Sequence, residues 1–155
     1  MGKIVNKEEI INIVKNLKKE NKKTVFTNGC FDILHVGHVR YLKASKKCGD
    51  VLIVGVNSDS SVRNLKGPTR PINNENDRAE IVSELGFVDY VVLFSENSPA
   101  KLLEEIKPDI YTKGADYTLE TLPEAPVAIK NNIKVEFINL VEGKSTTNTI
   151  KAINN

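Results

Sequence analysis

Apolar residues recur near the start of the chain at helical spacing. Ile10, Ile11, Ile13, Val14 and Leu17 stand among lysines, which predicts an amphipathic opening helix over residues 4–20, ended by Asn21 and Lys22. The period then shortens. Residues 24–27 form an apolar run closed by Asn28 and Gly29, and helical spacing returns over residues 36–47. Residues 51–56 are β-branched and too continuously apolar for a strand with one wet face, so they read as a strand buried on both sides. Helical stretches at 59–65 and 75–85, a strand at 90–94, a proline-opened helix at 99–106 and a strand at 110–112 continue the alternation. A fifth strand is predicted at 135–140, and a short hydroxyl-capped helix at 145–153. Strands alternating with helices pair in parallel through right-handed crossovers. The expectation is therefore an α/β fold, a three-layer Rossmann-like sandwich with a five-stranded parallel sheet. Residues 1–155 form one domain in this reading, with the N-terminal helix (residues 1–22) packed on it. Ligands of such sheets sit beyond the carboxyl ends of the strands, which selects the loops 28–37, 57–73, 113–117 and 142–147.

Composition narrows the function classes. With 155 residues and 40% hydrophobic content, the chain can bury one sizeable core and is short for two. Its 22 basic and 20 acidic residues nearly cancel, leaving +2, far from the dense positive field of a non-specific nucleic-acid binder. No aromatic platform with flanking basic residues suggests RNA. No stretch approaches the roughly eighteen apolar residues of a membrane span, and the first residues are polar, so no membrane is expected and the protein reads as cytoplasmic. Cys30 and Cys48 form no close pair and read as free thiols, Cys48 buried.

Chemistry concentrates at the junction of the first loop and the second helix. The chain's two histidines, His35 and His38, stand three apart there and so share one helix face. A first helical turn offers unpaired N–H groups and partial positive charge, which welcome a phosphate, and Gly37 removes a side chain from the approach. Imidazoles so placed can donate hydrogen bonds to the oxygens of a phosphorus under attack. A helix start that merely holds two satisfied histidines is the bland alternative, and the pair alone does not decide between them. Zinc needs three or four ligands, and no cysteine or helical carboxylate falls at the right spacing.

The wider string from Phe26 to His38, containing Thr27, Asn28, Gly29, Phe31, Asp32 and the His-x-Gly-His motif, resembles the signature of the cytidylyltransferase-like nucleotidyltransferase superfamily. Gly143 to Asn148 is similar to that group's second motif, and Ser145, Thr146 and Thr147 can offer hydroxyls and helix N–H groups to the β- and γ-phosphates. A plain helix cap is the alternative for this segment. Within the superfamily the resemblance is to the adenylyltransferases of bacterial ADP-heptose synthesis, carried by Asn57-Ser58-Asp59, Leu65-Lys66-Gly67, Arg70-Pro71, Arg78, Pro108-Asp109, Lys113-Gly114-Ala115-Asp116-Tyr117 and Ser145 to Lys151.

The resemblance implies transfer of AMP from ATP to a sugar 1-phosphate (heptose 1-phosphate), giving a nucleotide sugar and pyrophosphate. It implies His35, His38 and Lys66 as catalytic residues. The nucleotide would be bound by Thr27, Asn28, Gly29, Phe31, Asp32, Gly37, Lys113, Gly114, Asp116, Ser145, Thr146 and Thr147. Lys66, Arg70 and Arg78 would hold the substrate phosphate, although Arg78 on its helix can instead pair with Glu75 or Glu80. Mg²⁺ would arrive with ATP, with no metal site made by the protein alone, and Asp32 would either orient the loop or hold the ion through water. As alternatives, Lys66 is a solvated surface lysine, and Asp32 and Asp116 cap turns. The partners implied are small-molecule substrates, a homo-oligomer and a separate upstream sugar kinase. Two rivals stand beside this reading. A CTP-dependent glycerol phosphate cytidylyltransferase shares the outline, but the arginine it carries before the final motif is absent from Leu140-Val141-Glu142-Gly143. A non-catalytic nucleotide-binding regulator would keep the loop and lose the reaction.

Overall fold

The computed structural model describes residues 2–139 together with Ile150, Lys151 and Ile153. Its elements run β1 (Lys3–Val5), α1 (Lys7–Lys19), β2 (Thr24–Gly29), α2 (Val36–Lys46), β3 (Val51–Asn57), α3 (Asp59–Lys66), α4 (Glu75–Ser83), β4 (Tyr90–Phe94), α5 (Ala100–Ile106), β5 (Ile110–Gly114), α6 (Ala125–Lys130) and β6 (Lys134–Ile138). The strands form one sheet in the order β1-β4-β3-β2-β5-β6, every pair parallel. This is the α/β sandwich that the pattern predicts, with six strands rather than five.

The extra strand lies inside the expected opening helix. Lys3, Ile4 and Val5 pair with Tyr90, Val91 and Val92 at the sheet edge. Asn6 then starts α1 through a capping box, accepting from Glu9 N at 2.8 Å while Glu9 Oε1 accepts from Asn6 N at 3.2 Å. A helix begun at residue 4 would leave that box unused. Helix α6 is the second unexpected element, six residues with Pro126 in its first turn, where a missing N–H does no harm. The helix expected at 145–153 lies mostly outside the described residues, of which Ile150, Lys151 and Ile153 are helical.

Strand periodicity divides the core between the two faces of the sheet. Leu52, Val54 and Val56 point into a cluster with Val25, Leu42, Ala79 and Val82, beneath α2 and α4. Ile53 faces the opposite cluster with Phe26, Val92, Leu103 and Tyr111, beneath α1, α5 and α6. Gly55 shares that second face because space demands it: a Cβ there would stand 2.7 Å from the Phe26 ring and 3.2 Å from the Phe94 ring. Both cysteines are free, but Cys48 is half-buried rather than buried, since it sits just past the end of α2 with its Sγ 3.6 Å from Ala44 O. No helix among the described residues is long and apolar enough to cross a membrane.

Candidate active site

The carboxyl ends of β2, β3 and β5 open onto one cavity of about 660 Å³. Strand order reverses at β2, which continues to β3 on one side and receives β5 on the other, so this is the crevice that the topology selects. Strand β2 delivers the chain into the loop before α2. Phe31 there adopts a left-handed backbone (φ 49°), which few non-glycine residues tolerate without surrounding support. The support comes from packing: the Phe31 ring is buried, stands edge-on to His38 at 5.4 Å, and fills the space where a Cβ on Gly29 would come within 2.9 Å of it.

His35 caps α2, its Nδ1 accepting from Gly37 N at 3.0 Å, and His38 Nδ1 accepts from His35 N at 3.3 Å. The rings stack 3.9 Å apart at 25°. An imidazole whose Nδ1 accepts must, when neutral, carry its proton on Nε2. Burial, then the charge of His35, pushes the His38 pKa down to about 4. At neutral pH the His38 ring is a neutral Nε2–H donor, so positive charge in the cavity must come from other groups. Lys66 and Arg70 line one flank, next to β3, and Lys113 lines the other, next to β5, over the Tyr117 ring at 5.4 Å. Burial lowers the Lys113 pKa, against the pull of Glu124 and Asp116.

Asn28, Gly29, Phe31, Asp32, His35, Gly37, His38, Lys66, Arg70, Lys113, Gly114 and Asp116 all border this single cavity. Two placements differ from the expectation, and a third decides between two expected roles. Thr27 does not border it: the side chain is fully buried, its hydroxyl 2.8 Å from Tyr41 Oη and donating to Thr112 O at 3.2 Å. Arg78 is likewise fully buried and pairs with neither Glu75 nor Glu80. Its guanidinium donates to Asn73 O, Cys30 O, Asn57 O and Asp59 Oδ1 at 2.7–2.9 Å, which ties three loops together and leaves it unable to reach a substrate phosphate.

Asp32 is the third. Its carboxylate accepts from Ile72 N and Asn73 N at 2.9 Å and from Arg70 Nε at 2.7 Å, with no exposed side-chain surface. Although desolvation alone would raise its pKa, these bonds hold it below the ordinary carboxylate value. It therefore anchors the loop after α3 and offers no face to a hydrated Mg²⁺. Among the described residues no group of three or more His, Cys, Asp or Glu side chains is arranged to hold a metal. Ser145, Thr146 and Thr147 lie outside the described residues.

Several cavity residues carried no assigned role in the sequence reading: Tyr41 and Glu124 lie outside the loops it selected, and Cys30 and Asn57 lie within them. Tyr41 follows His38 by three positions on α2, the same helical spacing that flagged the histidines, and that signal was available. Glu124 carried none, because it belongs to the unpredicted turn before α6.

Similarity to known proteins agrees with this geometry. The family model described as cytidylyltransferase-like matches residues 26–151. The chain is 46% identical over 152 residues to the bifunctional protein HldE of Syntrophotalea carbinolica, covering 98% of this chain and 31% of that protein. It is 54% identical over 136 residues to HldE of Campylobacter concisus, covering 88% of this chain and 28% of that protein. It thus spans about a third of the length of these relatives. A crystal structure of the lipopolysaccharide core biosynthesis protein from Thermoplasma volcanium superimposes with a TM-score of 0.64 at 41% identity, covering 79% of this chain and 99% of that one.

Proposed function

The chain belongs to the cytidylyltransferase-like family, and from that membership we propose that it is an adenylyltransferase acting on ATP and a sugar 1-phosphate, heptose 1-phosphate in the fullest form of the reading. The observation that carries the proposal is the stacked imidazole pair at the start of α2, inside a cavity with Lys113 on one flank and Lys66 and Arg70 on the other. A phosphate monoester is already anionic at neutral pH, so the reaction needs no protein nucleophile and no strong base. An oxygen of the sugar phosphate attacks the α-phosphorus of ATP in line. The new P–O bond forms as the bond between the α-phosphorus and its bridging oxygen breaks, and the electron pair leaves on pyrophosphate.

The protein's task is to align two mutually repelling anions and meet the charge that develops between them. The neutral Nε2–H donor of His38 suits this work, because it strengthens as charge builds on the equatorial oxygens without first forming an ion pair with the ground state. Lys66 and Arg70 would receive the acceptor's phosphate. Arg70 gives its Nε to Asp32, and the outer N–H groups of its fork remain for phosphate oxygens. A divalent cation, Mg²⁺ in this reading, would enter on the triphosphate's own oxygens and offset their charge, since the described residues offer no site built for it. The acceptor phosphate must itself come from a kinase-class reaction, and both substrates belong to the cytoplasm.

Pyrophosphate release tests the proposal. ATP and CTP are each offered with heptose 1-phosphate and with glycerol 3-phosphate. Release with ATP and the heptose phosphate is expected. Release only with CTP and the alcohol phosphate would refute the adenylyl assignment, and nucleotide binding with no release for any pair would mark a regulator.

A further inference from the structure

Glu124 lies at the start of α6, 5% exposed, and is one of the residues that border the cavity. A carboxylate so buried ordinarily accepts several hydrogen bonds or faces a cation. Among the described residues this one accepts a single hydrogen bond and forms no ion pair, although Lys113 feels its charge across the cavity. The hydrogen bond it receives comes from Tyr111 Oη at 3.3 Å, while the same hydroxyl stands 2.7 Å from Asn28 Oδ1. A phenol has one proton, and the shorter contact takes the larger share of it. Lys113 lines the same cavity, yet forms no ion pair among the described residues. Among the described residues this acceptor-only group receives one long hydrogen bond at the wall of a ligand cavity, which leaves it acceptor capacity for donors on a ligand.

We infer that Glu124 is a specificity-determining residue of this cavity, accepting hydrogen bonds from the vicinal ribose hydroxyls of the nucleoside triphosphate. The inference rests on the nucleotidyl-transfer reading above and names what sets its preference for a ribonucleotide. Three considerations select the ribose. Phosphates are excluded because like charges repel. The acceptor sugar is disfavoured because its phosphate-binding groups, Lys66 and Arg70, stand on the β3 flank, whereas Glu124 follows β5 on the other side of β2. The base is disfavoured by reach: through Tyr111 and Asn28, Glu124 is tied to the end of β2 beside the imidazoles, and the ribose is the nucleoside part bonded directly to the α-phosphate.

The test measures binding by calorimetry and turnover by pyrophosphate release for ATP, 2′-deoxy-ATP, 3′-deoxy-ATP and inosine triphosphate. Wild type, Glu124→Ala and Glu124→Gln are compared. Wild type should prefer ATP over at least one deoxy analogue by about tenfold to a hundredfold, the range of a hydrogen bond to a charged group. Glu124→Ala should weaken ATP by a similar factor while leaving that analogue nearly unchanged, so that the preference disappears. If the alanine variant melts early, the isosteric glutamine variant carries the comparison and should retain part of the preference.

A variant that weakens ATP and both deoxy analogues equally overturns the inference. So does one that erases discrimination between ATP and inosine triphosphate while sparing that for ribose, since the carboxylate would then read the base. Wild type that shows the ribose preference in binding but releases no pyrophosphate with any sugar phosphate would sink the proposed reaction and leave this inference standing. Wild type that binds no triphosphate overturns both.

Discussion

Replacing His38 by asparagine removes a titrating ring and its Nε2–H donor, while the amide oxygen can still accept from His35 N as Nδ1 does. The pKa of His38 falls from 6.5 to about 4 on folding, through burial and then the neighbouring His35. Between those two values the unfolded chain binds a proton that the folded protein refuses, so stability rises with pH across this window. The contribution is complete above about pH 6.5 and is lost as the pH falls toward 4. At about 1.4 kcal/mol per pH unit the span from 6.5 to about 4 corresponds to at most about 3.5 kcal/mol. The ring is only half-buried, and solvent screening reduces the expected figure to about 2 kcal/mol. Urea unfolding of both proteins at steps from pH 7 to pH 4.5 measures it. Wild type should lose more stability than His38→Asn over that range, and the difference between the two curves removes every group they share. Turnover at pH 7.5 should fall by about a hundredfold or more, the usual loss for one preorganised donor, with the fold retained. Parallel stability curves together with a His38 resonance titrating near 6.5 would refute the reasoning. Near-normal turnover would remove this ring from the chemistry.

Three further outcomes follow from the geometry. Arg78→Lys keeps the charge but cannot span Asn73 O, Cys30 O, Asn57 O and Asp59 together, so thermal or urea unfolding should show a loss of about 3 kcal/mol, and a loss under about 1 kcal/mol would show that the loops do not depend on it. Gly55→Ala drives a Cβ against the rings of Phe26 and Phe94 and should destabilise by about 1–3 kcal/mol, whereas unchanged stability would mean that the sheet yields freely there. Lys66→Met should lower kcat/KM for the sugar phosphate by about tenfold or more while leaving ATP affinity within about twofold, and the opposite split would move Lys66 to the triphosphate.

How far the sequence could be read depended on how local each signal was. The continuous apolar run of β3 announces a strand covered on both faces, and from several such runs separated by helices the parallel sandwich follows. Strand β1 was hidden because its three residues continue the apolar spacing of α1. The marker that separates them, Asn6 with Glu9, is a short-range cap that is legible once sought. Helix α6 has six residues and a proline, too little for a period to show. The histidine pair was legible because three-residue spacing on a helix fixes a common face.

Arg78 was misplaced, Glu124 missed and the role of Asp32 left open for a shared reason: the partners that decide their roles are distant in sequence. Asp32 meets Arg70, Ile72 and Asn73, Arg78 meets Cys30 and Asn57, and Glu124 meets Tyr111. By itself the sequence determined the α/β class, the crevice at the strand ends and the histidine-bearing helix start, because period and capping are properties of neighbouring residues. Only the tertiary structure decided which charges face the ligand and which are spent inside the protein. A buried charge is stable only where folding brings it enough partners, and that count is made in space rather than along the chain.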